Sequence, residues 1–242
     1  MYLSMTGARE TMLSQAATSH NLANANTTGF RASLNDFVTM SVNGDGHSSR
    51  AYAQLRAQHV DLTPGAMQPT GRELDVAVEG QGWIAVQAPD GGEAYTRAGD
   101  LQVDSMGRLL TGSGLQVVGD GGPIAVPPYD TIEIATDGTV TIRPQGQEAN
   151  ALAVVDRIRL VNPPADALRR GEDGLVRVAG DAPVDADPEV RLASGMLEGS
   201  NVNVIDAMVN MIQLSRQFET QVNMIRSAED NDQASAQLMR IT

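Results

Sequence analysis

Residues 203–242 read NVIDAMVNMIQLSRQFETQVNMIRSAEDNDQASAQLMRIT, and this stretch decides the fold. It holds neither proline nor glycine, the two strongest helix breakers. Positions 204, 208, 211, 215, 218, 222, 225, 229, 232, 236 and 239 step by four and three, and eight of those eleven are apolar: Val204, Met208, Met211, Phe218, Val222, Ile225, Ala236 and Met239. That recurrence is one face of an α-helix. Asn203 is a good N-cap, and Asp206 places negative charge at the positive end of the helix. Roughly 38 residues at about 1.5 Å each make a rod of about 57 Å, several times the ordinary helix length of about 11 to 12 residues. A helix this long needs an external partner. The alternative, a helix lying across its own sheet, draws support from the polar Glu229 and Asp232 in the seam.

The other end is built alike. Tyr2, Met5, Ala8, Met12, Ala16, Ser19 and Ala23 recur at helical steps, which predicts a first helix of about six turns. Asn24, Asn26, Thr27 and Thr28 compete with the helix backbone, and Gly29 can take the left-handed conformation past its end. Phe30 follows as an apolar anchor. All 11 prolines lie between Pro64 and Pro188, so both termini are free to be helical and the middle is not.

That middle has another period. Residues 31–71 and 186–199 read as an extended connecting arm, and residues 72–185 as a central β-domain. Trp83-Ile84-Ala85-Val86-Gln87 is a strand run, closed by the turn Pro89-Asp90-Gly91-Gly92. Asp104-Ser105-Met106-Gly107 and Asp137-Gly138 separate further short runs, and Asp-Gly between alternating residues is a strong hairpin signal. Short strands with frequent turns predict antiparallel pairing. The expected fold class is therefore α+β: long N- and C-terminal helices (1–30 and 200–242) forming a coiled-coil domain, with a central all-β antiparallel domain.

Composition removes most chemistry. There is no cysteine and no lysine, which excludes thiol nucleophiles, thiolate zinc sites, a P-loop lysine and a Schiff base. His20, His47 and His59 lie far apart, with no acid at ligand spacing. Gly80-Gln81-Gly82, Gly112-Ser113-Gly114 and Gly119 to Gly122 open no helix, so they read as turns rather than phosphate loops. Glu172-Asp173 and Asp181, Asp185 and Asp187 read as solvated loop acids. No catalytic residue, cofactor or metal is expected. The net charge of -13 has no basic patch to offset it, which argues against nucleic acid. Residues 61–199 carry 22 acids against 10 arginines, nearly all of the excess. No run of 18 apolar residues suggests membrane insertion, and Met1 to Ser19 lacks the order of a secretory signal.

Three motifs resemble a known family. Asn21-Leu22-Ala23-Asn24-Ala25-Asn26-Thr27-Thr28-Gly29-Phe30 is similar to the N-terminal signature of bacterial flagellar rod and hook proteins. Ser200-Asn201-Val202-Asn203, with Met208 to Ile212 and Arg216-Gln217-Phe218-Glu219, resembles their C-terminal signature. Leu74 to Trp83, then Tyr95-Thr96-Arg97-Ala98-Gly99, resembles the opening of their β-domain. Within the family, Gly82 to Gly91 and the compact length look most like a proximal rod member. A distal rod member is the runner-up, usually with phenylalanines where this chain has Trp83-Ile84.

The resemblance implies a non-enzymatic structural subunit that assembles helically into the tubular drive shaft, transmitting torque and conducting exported subunits. Leu3, Met5, Met12 and Leu22, with Phe30 as anchor, are expected to meet Val204, Met208, Met211, Phe218, Val222 and Ile225 in the helical seam. Implied partners are copies of the chain, other proximal rod subunits, the distal rod protein and the flagellar type III export apparatus. The implied location is the basal body, in a rod crossing the periplasm, reached without a cleaved signal peptide. A rival reading makes the β-domain a cell-wall-binding module, on the strength of its acidic surface.

Overall fold

A computed structural model describes residues 2–41, 51–147, 151–171, 173–178, 180 and 184–239. The chain divides into two compact units, one of residues 1–23, 33–59 and 203–242, the other of residues 24–32 and 60–202.

The first unit holds both long helices, α1 (Tyr2–Ala23) and α2 (Val204–Met239). Asn203 caps α2 as expected: its Oδ1 accepts from the backbone N–H of Ile205 at 3.0 Å and of Asp206 at 3.4 Å. Strands Ser33–Ser41 and Ala51–Val60 pair with each other in the same unit, inside the stretch expected as a connecting arm. The Asn21 side chain brackets the first of them, donating to the Ser33 carbonyl at 2.9 Å and accepting from the Ser33 N–H at 2.8 Å.

The expected coiled coil is not what these helices form. They pack side by side, but α1 offers a face of small and hydroxyl residues rather than apolar knobs. Ala8 and Thr11 are buried, while Met5 and Met12 are 53% and 57% exposed. Thr11, Ser14 and Thr18 turn their hydroxyls back onto the carbonyls of Gly7, Glu10 and Ser14, one helical turn earlier. Gly7 lies so close to α2 that a Cβ there would stand 3.0 Å from Gln221 Nε2. Knobs-into-holes packing needs large apolar side chains at the seam of both partners, and among the described residues the buried positions of α1 are Ala8, Glu10 and Thr11. On α2 the half-buried stripe runs through Val204, Met211, Leu214, Phe218, Val222, Ile225 and Ala228, and Met208 stands outside it at 50% exposed. The architecture is thus α+β, two paired helices and antiparallel sheets, with no coiled coil.

The second unit is all-antiparallel. Its main sheet runs in the order Leu168–Arg170, Val176–Val178, Glu93–Thr96, Trp83–Gln87, Gln116–Gly119, Leu109–Thr111, Leu101–Val103, with Leu160–Val161 also on Trp83–Gln87 and Gly122–Pro123 on Gln116–Gly119. A three-stranded sheet joins Tyr129–Ile134, Thr139–Pro144 and Ala153–Arg157. Two ribbons pair Val76–Glu79 with Arg191–Ser194 and Met67–Pro69 with Met196–Glu198. The predicted hairpins are present. Gly91, Gly107 and Gly138 take φ of +85°, +80° and +87° at their turns, which only glycine adopts cheaply.

Trp83–Gln87 is apolar on both faces because it is buried on both. Ile84 and Val86 enter the main core with Val76, Val78, Leu101 and Leu109, whereas Trp83 and Ala85 enter a smaller cluster with Tyr95, Val161, Leu168 and Val176. Burial, helped by Glu93, pushes the Tyr95 hydroxyl up to about 12. That hydroxyl accepts from the Val184 N–H at 3.3 Å.

Candidate assembly interface

The three sequence motifs meet in the second unit. Gly29 is in the left-handed region at φ +66°, and a Cβ there would lie 2.1 Å from the backbone carbon of Arg97. Its N–H donates to the Glu198 carbonyl at 2.7 Å. Asn201 ties the same strands: its N–H donates to the Phe30 carbonyl at 3.2 Å, its Oδ1 accepts from the Ala32 N–H at 2.7 Å, and its Nδ2 donates to the Thr63 carbonyl at 3.0 Å. Each backbone group so satisfied is one that burial otherwise leaves costly.

At the centre lies a buried ion cluster. Glu198 is fully buried, and Arg31 and Arg97 are 2% and 4% exposed. Arg31 Nη2 reaches Glu198 Oε1 at 2.5 Å, and Arg97 Nη1 reaches Oε2 at 3.1 Å. Oε1 also accepts from the Gly65 N–H at 2.8 Å. Arg31 donates in addition to the Thr63 carbonyl, and Arg97 to the carbonyls of Val78 at 3.2 Å and Gly80 at 2.7 Å. Arg97 stacks over Trp83 at 5.5 Å, and Arg170 over Phe30 at 4.7 Å. Desolvation lowers the pKa of both Arg31 and Arg97, and the charge of Glu198 pulls each back up. An arginine in such surroundings stays protonated. The cluster therefore keeps a surplus of positive charge inside the protein.

The expected seam residues scatter. Met5, Met12 and Met208 are exposed, whereas Leu22, Val204, Met211, Phe218, Val222 and Ile225 are half-buried, and Phe30 is buried in the second unit. The side chain of Leu3 lies outside the described residues, as do His47, Glu172 and Asp181. Of the signature residues, Gly29, Phe30 and Asn201 bind the motifs together, Asn21 brackets Ser33 and Asn203 caps α2. Asn24 accepts from the Thr27 N–H at 3.1 Å, and the Ser200 hydroxyl accepts from the Val202 N–H at 3.2 Å. Leu22, Thr28 and Val202 are half-buried and Ala23 is exposed. The loop acid Asp173 is engaged with Arg177 at 2.6 Å. Sequence reading missed Arg31, directly after one quoted motif, and Glu198, two residues before another; their signal is a charge set close to a glycine, Gly29 and Gly199.

After the helices pair, both keep large apolar side chains outside. Leu13, Met5 and Met12 are exposed on α1, and Ile205, Met208, Val209, Ile212 and Met224 on α2, where Ile205 reaches 72% and Ile212 56%. Scattered apolar residues are ordinary on a surface, but a group of this size on one helix marks an association site.

Three family models match the chain. The model of the flagella basal body rod protein matches residues 1–31, that of the flagellar hook protein FlgE/F/G D1 domain matches 77–142, and that of the C-terminal region of flagellar basal body rod FlgEFG proteins matches 193–238. The three segments supply Arg31, Arg97 and Glu198 in turn. The chain is 44% identical to the flagellar basal-body rod protein FlgF of Escherichia coli K12 and 41% to that of Salmonella typhimurium LT2, each over 248 residues covering 100% of this chain and 98% of the relative. It is 31% identical to the rod protein FlgG of Buchnera aphidicola from Acyrthosiphon pisum, over 98% of each chain. A β-unit knotted by motifs from both ends of the chain, with helices left apolar outside, defines a subunit built for assembly. The chain belongs to the flagellar basal-body rod protein family, as a structural rod subunit, with its likeness to FlgF above that to FlgG.

Proposed function

We propose that the chain is a proximal rod subunit that stacks on copies of itself and on other rod proteins, the distal rod protein among them, through heterologous, non-closing contacts. Contacts of that kind build a helical tube rather than a closed ring. The tube is the drive shaft that transmits torque across the periplasm and conducts exported subunits. In it residues 1–30 and 200–242 face the channel and residues 72–185 lie outside. The chain reaches its place unfolded, through the flagellar type III export apparatus and without a cleaved signal. Its work is mechanical, not catalytic.

The observation that carries this reading is the exposed apolar set on α2 that α1 leaves uncovered. Apolar area is worth about 25 cal/mol per Å² when removed from water, so burying Ile205, Met208, Val209 and Ile212 against neighbours drives assembly. Replacing Ile212, 56% exposed, tests it. Ile212→Glu changes the stability of the isolated chain by no more than about 0.5 kcal/mol, yet cells carrying it as their only copy build no complete rod and do not swim. Normal basal bodies in that strain would count decisively against the interface.

A further inference from the structure

A cavity of about 280 Å³ opens beside the ion cluster, lined by Arg31, Arg97, Trp83, Gln81, Asn162 and Pro164 among others. Its floor is cationic, since two nearly water-free guanidiniums share a single buried carboxylate. The donor set is not saturated: Arg97 Nε is buried without a hydrogen-bond partner. A further acid, Asp61, raises the Arg31 pKa through its charge, but its Oδ1 is already held by the Thr63 N–H at 2.9 Å and hydroxyl at 2.8 Å. Arg170, bonded to the Arg31 carbonyl at 2.5 Å, adds a further positive charge nearby. The walls contributed by Trp83, Pro163, Pro164 and Leu168 are apolar.

A cationic floor under apolar walls selects a carboxylate on a short aliphatic stem, because buried arginines bind carboxylates more tightly than neutral acceptors. A positive spot in a stretch with 22 acids and 10 arginines also complements the rest of this protein's own surface. We propose that the cavity is a binding pocket for an acidic side chain of a neighbouring copy, a polar latch between β-units in the rod. This rests on the rod reading for its source of carboxylate, while the pocket itself does not.

Trp83 is the sole tryptophan, so its fluorescence reports the pocket directly. Titrating the full-length chain with N-acetyl-glutamate amide should give a saturable change, and the N-acetyl-glutamine analogue should give none. Gln81 lines the cavity from an exposed position, so Gln81→Glu supplies a carboxylate in cis without disturbing the core. That variant should keep the wild-type unfolding midpoint, lose at least about tenfold in probe affinity, equivalent to about 1.4 kcal/mol, and assemble poorly in cells. No saturable response, or an equal response to the neutral analogue, overturns the pocket. Probe binding that Gln81→Glu abolishes with no assembly defect overturns the neighbouring copy as its occupant. Either failure is distinguishable from failure of the rod reading, which Ile212→Glu tests separately.

Discussion

The two units of this chain are finished to different degrees. In the β-unit Val76, Val78, Ile84, Val86, Leu101 and Leu109 are at 0% exposure, and its turns carry the glycines their geometry demands. On α2 the residues of the inner stripe are only half-buried, and several large apolar side chains face out. The β-unit has what a domain needs to stand alone. The helical unit has an inner face made from small residues on α1 and an outer face that keeps large apolar side chains exposed. The difference teaches that one polypeptide can keep its stability and its adhesiveness in separate places, so that changing one need not change the other.

The ion cluster is where the β-unit is most open to damage. Glu198→Ala takes from the buried Arg31 and Arg97 the one carboxylate they share, and the acceptor from the Gly65 N–H. Breaking a buried pair in this way costs about 3 to 5 kcal/mol. Urea unfolding followed by Trp83 fluorescence should show the midpoint fall accordingly, and an unchanged midpoint would mean the cluster is solvated after all. The helices sharpen the comparison from the other side. Asn203→Ala removes the cap of α2 and costs about 1 kcal/mol, and it should appear in the far-ultraviolet circular dichroism of the helices while the Trp83 transition stays in place. If both probes move together, the units unfold as one and the contrast between them fails.

How much of this was legible depended on how local the determinant was. The Asp137-Gly138 hairpin, the turns at Gly91 and Gly107 and the Asn203 cap were readable, because each is settled within a few residues by glycine conformation or a side-chain acceptor. The helices themselves were readable from spacing. Their pairing was not, because the choice between a face through Met5 and Met12 and the face through Gly7, Ala8 and Thr11 is made by how closely α2 approaches, at Gln221. A stripe of apolar residues announces burial, but not which surface covers it. The Arg31–Glu198–Arg97 cluster was hidden for a similar reason. Its members sit on three separated segments, and only folding puts Glu198 at 2.5 Å from Arg31 and 3.1 Å from Arg97.

Acid offers the mildest test of the β-unit, and its direction follows from the turns. The Asp137 carboxylate accepts from the Thr139 N–H at 3.0 Å and from its hydroxyl at 2.8 Å, and these bonds hold its pKa below the ordinary value. Asp173 is likewise lowered, chiefly by the Arg177 guanidinium. A carboxyl depressed in the folded state holds fewer protons there than in the unfolded chain, so its contribution is present above the unfolded value of about 3.9. That contribution is lost as pH falls through the lower, folded value. Both side chains are partly solvated, so each is worth well under about 1 kcal/mol after screening. Asp137→Asn should therefore lower the Trp83 unfolding midpoint slightly at neutral pH and make its decline below about pH 4 shallower. A steeper decline would reverse the sign and show that Asp137 titrates against the fold. Asp137 lies in the β-unit, so the Asp137-dependent change belongs in the Trp83 signal and not in the circular dichroism of the helices.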